Sequence, residues 1–194
     1  CHLACVFRAA GACGGSPELG RVRPFATALV TLCLLGAGAA GAQCAIGADT
    51  STWSIGGLGA AYYQQVRTDT AADLVEFYGG VCLAGEGGQW TVTSARVVIT
   101  GLRGGLKLSA EPATVTVAGW QLAAASLTAT PERLDMVLPN IDGPGLSGSA
   151  YSASMNLVTG AVELNTLMVR YASVVARSSE ARLAGNELIL DDPM

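Results

Sequence analysis

The sequence predicts an all-β fold of many short strands, on three observations. Of its 194 residues, 51% are apolar and 13% charged, so the chain can bury a real core and is not disordered. Its 25 glycines, set among Thr, Ser, Val and Ala, move the balance from helix to strand and turn. Apolar and polar residues alternate with period two in successive runs, each closed by turn-forming residues. The length favours one domain.

Residues 1–20 begin on Cys rather than Met and are expected to be an upstream translation artefact. Arg21 and Arg23 then precede the apolar run FATALVTLCLL (Phe25 to Leu35), which leads into Ala40-Gly41-Ala42. A basic n-region, an apolar h-region and a small-x-small site together predict a secretory signal peptide over 21–42, cleaved after Ala42. The strongly apolar run is shorter than the ~20 residues of a membrane span. Gln43 stands where a lipobox needs a small residue, so Cys44 is not read as a lipid anchor.

Cleavage removes His2, the sole histidine, and leaves Cys44 and Cys82 of the six cysteines. In an oxidising compartment this pair is a disulfide candidate rather than a metal site. The remaining chain is acidic, with Lys107 as its one lysine and its arginines scattered, so no basic patch for nucleic acid is present. The expected location is the periplasm or cell envelope.

After the leader, residues 43–72 form a lead-in with the first strands; "GAAYYQQV" fits a short helix or a strand, and the neighbouring glycines favour the strand. The main β-domain is assigned to 73–194, with continuation past Met194 expected. Alternation marks strands at Trp90 to Thr100, Ala113 to Val117, Trp120 to Thr130 and Arg133 to Leu138, then at Ser149 to Thr159 and Gly160 to Ala176. GEGG (85–88), GLRGG (101–105), PNIDGPGLSG (139–148) and Thr159-Gly160 supply turn chemistry between them. Trp90 and Trp120 begin runs that overlay in residue type, a weak internal repeat of the kind that stacked strand pairs produce.

Four stretches resemble the OstA-like periplasmic domains of lipopolysaccharide transport (Lpt). Val75-Glu76-Phe77-Tyr78, Gly79-Gly80-Val81-Cys82-Leu83 and Trp90 to Val98 are similar to the family's strand, Gly-(Asn/Asp)-Val-aliphatic and alternating-strand succession. SAYSASMNLVTGAVEL (Ser149 to Leu164) is similar to its Thr-Gly unit, SSEARLAGNELIL (178–190) to another such unit, and WSIGGLGAAYY (53–63) to its strand-Ala-x-x-Ala-Tyr lead-in. Gly80 stands where the family has Asn or Asp, and Ala95-Arg96 where it has Ala-Asp. The resemblance implies a folded-over antiparallel sheet, a β-jelly-roll or β-taco of repeated short strand pairs with open edges. It also implies an interior holding acyl chains of an amphipathic lipid or glycolipid, and edge-to-edge association with other such domains or with an outer-membrane barrel.

An acyl chain needs a long apolar trough without reactive groups, and alternating strands supply one on a single face. Period two nominates Val92, Val98, Val115, Val117, Leu122, Leu134, Met136, Leu138, Val162, Leu164 and Met168 as inward residues. The same residues would equally form the closed core of a β-sandwich, which is the expectation for a structural or adhesive cell-surface repeat domain without ligand.

Reactive constellations are sparse. Without histidine after the leader, a Ser-His-Asp triad, a Cys-His pair and His-based zinc sites are excluded. GPGLSG (143–148) matches a dinucleotide fingerprint literally but lacks the strand-before, helix-after context, and reads as a loop. Nothing brings Asp135, Asp142 and Glu163 together as a carboxylate pair, and neither Asp142 nor Asp191-Asp192 has a calcium loop. No enzyme, cofactor or metal is expected. At 6% aromatic, the chain lacks the girdles of an outer-membrane barrel.

Overall fold

The computed structural model describes residues 5–7, 44, 47, 49–191 and 193. The predicted leader, 21–42, lies outside the described residues. The strands are β1 (Cys5–Phe7), β2 (Ser51–Ile55), β3 (Gly59–Tyr63), β4 (Gln65–Asp69), β5 (Leu74–Ala84), β6 (Trp90–Thr100), β7 (Lys107–Ala110) and β8 (Ala113–Val117). They continue with β9 (Trp120–Ala124), β10 (Ser126–Ala129), β11 (Arg133–Val137), β12 (Asn140–Gly143), β13 (Leu146–Asn156), β14 (Val162–Tyr171), β15 (Val174–Ala184) and β16 (Glu187–Leu190). All pair antiparallel in one sheet, which confirms the all-β expectation and gives GAAYYQQV to β3 and β4. β1, from the stretch ahead of the predicted leader, pairs with β16.

The sheet is creased along a line that crosses its strands. Along β6, Trp90, Val92 and Ser94 are buried, Ala95 and Arg96 face out, and Val97 and Ile99 are buried again. The same interruption, two consecutive outward residues between buried ones, recurs at Glu111-Pro112, Ala125-Ser126, Val137-Leu138, Tyr151-Ser152, Asn165-Thr166 and Ser179-Glu180. These positions face one another from strand to strand, as the flanking pairs Val97↔Ala110, Ser126↔Val137, Val137↔Ser152, Ser152↔Asn165 and Asn165↔Glu180 require. In β5 the line passes through Gly79-Gly80, where the register to β6 shifts by one residue.

Local chemistry holds the crease. Leu138 (φ 50°) and Thr166 (φ 52°) adopt left-handed backbone that breaks alternation, and Thr166 is β-branched, for which that region is strained. Pro112 brings no N–H to the ladder. The buried Ser94 hydroxyl reaches the carbonyl oxygens of Arg96 (2.8 Å) and Pro112 (2.7 Å), and that of Ser178 reaches Glu180 O (2.5 Å). Carbonyls turned out of the ladder thus keep partners.

Two leaves result, and they fold onto each other. One contains β4, β7, β10, β11 and β16; the other contains β2, β3, β8, β9 and β12; β5, β6, β13, β14 and β15 run through both. Trp120 Nε1, on the second leaf, donates to Gly185 O at the β15–β16 turn of the first (3.0 Å). Trp90 and Trp120 flank Val117 in one ladder row, so the sequence repeat corresponds to a step of two strands. A Cβ on Gly143 would lie 2.2 Å from the Trp120 ring, and one on Gly85 would lie 2.3 Å from that of Trp90, so each indole needs a glycine beside it. Between the leaves lies one continuous apolar cluster that includes Phe77, Ile99, Leu122, Met155 and Leu188.

Candidate functional site

The crease decides where the predicted groove residues fall. Val92, Val115, Val117, Leu122, Leu134, Met136, Val162 and Leu164 lie inside the cluster, none more than 4% exposed. Three of the inward assignments are corrected. Val98 is half-buried on the outer face, while Leu138 is 53% and Met168 46% exposed. Uniform alternation placed them inside with Val92, Met136 and Leu164, but each lies across or on the crease, where the phase reverses; Val97, Pro139 and Leu167 take the inward places.

Cys44 and Cys82 are joined by a disulfide that ties the segment before β2 to β5 across 38 residues. Asp135 and Glu163 face the same strand residue, Ser154, from its two sides, while Asp142 lies on the other leaf. Asp135 is engaged by Arg133 (2.7 Å). In GPGLSG, Pro144-Gly145 form the turn of a tight hairpin, Gly143 closes β12 and Leu146 to Gly148 open β13, so no helix follows. Among the described residues no group of three or more His, Cys, Asp or Glu could hold a metal ion.

Sequence reasoning missed a charged cluster beside the crease. Glu76 points outward from β5 yet is only 7% exposed, because Tyr78 and Arg96 cover it. The Tyr78 hydroxyl donates to one carboxylate oxygen, Arg96 donates to the other, and Arg67 stands 4.0 Å away. The Arg96 guanidinium also lies 5.8 Å from the centre of the Tyr78 ring. The Tyr78 hydrogen bond, then that of Arg96, holds the Glu76 carboxyl below its ordinary range, and the same bond raises the Tyr78 hydroxyl. A glutamate set between Val75 and Phe77, with arginines on both partner strands, was the available signal. Only strand register brings them together.

A carboxyl lowered in the folded state adds stability above its unfolded value of about 4.3, and that stability is lost as pH falls through the lowered folded value. Glu76→Gln is therefore expected to lower the melting temperature at pH 7 and to differ less from the parent at pH 3. Thermal melts of both proteins across that range check this; a constant gap would refute the assignment.

The outer face of the second leaf carries two adjoining concavities. One, of about 1040 Å³, follows the crease from Gly80 past Ala95 and Pro112 to Leu138. The other, of about 580 Å³, extends over β9, β12, β13 and β14 and shares Thr114, Ala123 and Asn140 with the first. Two ranks of outward side chains cross this second groove. Gln121, Asp142, Ser147 and Arg170 face one another in turn, and beside them run Thr114, Ala123, Asn140, Ser149 and Met168.

Fold and faces define a creased, folded-over antiparallel β-module with a continuous apolar interior and an open groove on its outer face. No family model matches the sequence, and no curated protein matches it. Among solved structures it is similar to LptH, the LptA-homologous periplasmic component of the lipopolysaccharide transport device from Pseudomonas aeruginosa. The TM-score is 0.44 with 10% sequence identity, over 54% of this chain and 80% of that one.

Proposed function

We propose that this chain is an exported, non-enzymatic β-domain of the periplasm or cell envelope. It binds or relays an amphipathic, lipopolysaccharide-like lipid between its leaves during outer-envelope assembly and joins similar domains edge to edge. The observation that supports this most is the interior: one continuous cluster of buried apolar side chains contributed by both leaves. Each buried methylene of an acyl chain contributes ~0.8 kcal/mol, so such an interior needs no polar contacts to retain a lipid. Among the described residues β2 and β4 each pair on one side only, which offers ladder edges to another domain.

A second reading is a structural or adhesive surface module whose core takes no ligand. The tight burial of the eight inward candidates favours it, since a lipid would have to part the leaves. Mass spectrometry of gently purified protein, with displacement of a fluorescent lipid probe by lipopolysaccharide, separates the two. The carrier reading expects bound acyl species and competition. Finding neither leaves the structural module.

A further inference from the structure

On the side of the module formed by β2 and β4, inward-facing apolar residues of both leaves reach solvent. The pairs Trp53↔Ala61↔Leu83 and Val66↔Phe77 place Trp53 and Val66 on the inner face, because Ala61, Leu83 and Phe77 are each no more than 3% exposed. Yet Trp53 is 37% and Val66 43% exposed. The Trp53 ring, from the second leaf, stands edge-on to that of Phe77 on the first, with 5.7 Å between centres, and Tyr63 lies against the same ring at 4.6 Å. Three aromatic rings close this side, with Trp53 outermost.

The other sides are held differently. Across from the crease, Trp120 Nε1 donates to Gly185 O (3.0 Å), and a Cβ on Gly57 would lie 2.9 Å from Pro131, so turns of the two leaves touch. On the side of β16, Leu188 and Leu190 are each 1% exposed, and at the β14–β15 turn Tyr171 and Val174 emerge from the second leaf alone.

We infer that the β2/β4 side is the mouth through which an acyl chain enters the interior, with Trp53 as its movable door. This rests on the reading that a lipid lies between the leaves, and it says where those leaves part. Among the described residues β2 pairs only with β3 and β4 only with β5, so no ladder hydrogen bond joins the two lips. Turning Trp53 away from Phe77 gives up a ring contact and no backbone bond. Behind the door lies the apolar cluster itself, to which Tyr63 and Phe77 belong, so a chain that passes Trp53 meets apolar surface from the rim inward. That continuity selects a hydrocarbon. A polar ligand on the same path would lose hydrogen bonds to water that buried apolar side chains do not replace.

The test is stopped-flow tryptophan fluorescence of the chain mixed with a brominated fatty acid, dibromostearate, whose bromines quench an indole on contact. The protein has three tryptophans, and Trp90 (3% exposed) and Trp120 (2%) lie inside the cluster, so their quenching reports a chain between the leaves. Quenching of Trp53 is expected first, as a phase that Trp53→Phe removes, followed by quenching of the buried pair. Trp53→Ala should speed the second phase by about two- to tenfold, the range that loss of one aromatic pair supports. Val66→Ala, on the opposite lip, should speed it too, and it carries the test if a thermal melt shows that Trp53→Ala does not fold. Val175→Ala, on the outer face of the second leaf, should keep the parental rate. A second phase of unchanged rate in both lip variants would overturn the mouth and leave the carrier reading standing. Quenching confined to Trp53 would overturn the mouth as well, since the chain then stops at the rim. No quenching of any tryptophan would remove the carrier reading, and the mouth with it.

Discussion

Leu167→Asp is expected to abolish the cooperative unfolding transition, while Met168→Asp, one residue along, leaves a folded domain with a near-parental melting temperature. Leu167 is 2% exposed inside the cluster, so an aspartate there must bury a carboxylate without a partner. That costs several kcal/mol, against a total stability of about 5–15 kcal/mol for a domain. Met168 is 46% exposed and pairs with Arg177 across the ladder, a favourable neighbour for an aspartate. Uniform period two from Val162 and Leu164 requires the opposite ranking, so the pair tests the phase reversal at Asn165-Thr166 directly. Circular dichroism melts decide it; equal tolerance at both positions, or the reversed order, would remove the crease from β14.

Removing the disulfide is expected to cost about 3–4 kcal/mol, the chain-entropy value for a closed loop of this length. The double variant Cys44→Ser/Cys82→Ser should shift the urea midpoint downward, and reductant should bring the parent to the same midpoint. An unchanged midpoint in both would mean that the cross-link restrains nothing in the unfolded chain. Cys82 lies on β5 between Val81 and Leu83, so the bond fastens the segment before β2 to a long strand that runs through both leaves.

The strands themselves were legible in the sequence. Runs such as Trp90 to Thr100 and Ala113 to Val117 coincide with β6 and β8, because alternation and turn chemistry are local signals. What the sequence did not reveal was a change of phase inside an apparently unbroken run. Ala95-Arg96, Val137-Leu138 and Asn165-Thr166 keep a plausible alternation when read alone, and only their alignment across neighbouring strands shows that each faces outward twice. Val98, Leu138 and Met168 were misplaced for that single reason. The run Trp120 to Thr130 divides into β9 and β10 at Ala125 on the same account. The Glu76 cluster and the outer groove were hidden for a related reason. Their members come from different strands, and the pairing register that assembles them is a tertiary property.

The aligned crease makes the module indifferent to its own length. From β13 to β15 each strand is paired with the one before and the one after it, and β14 and β15 each take the position of their bend from the preceding strand. Such a ladder behaves as a one-dimensional lattice, whose stability is a sum of nearest-neighbour couplings and whose end rungs open first. A further hairpin fits such a ladder provided that two consecutive outward residues meet the bend of the preceding strand, that β1 gives up the edge of β16, and that the Trp120 contact to Gly185 is kept. Modularity of this kind lets a span be set by counting rungs.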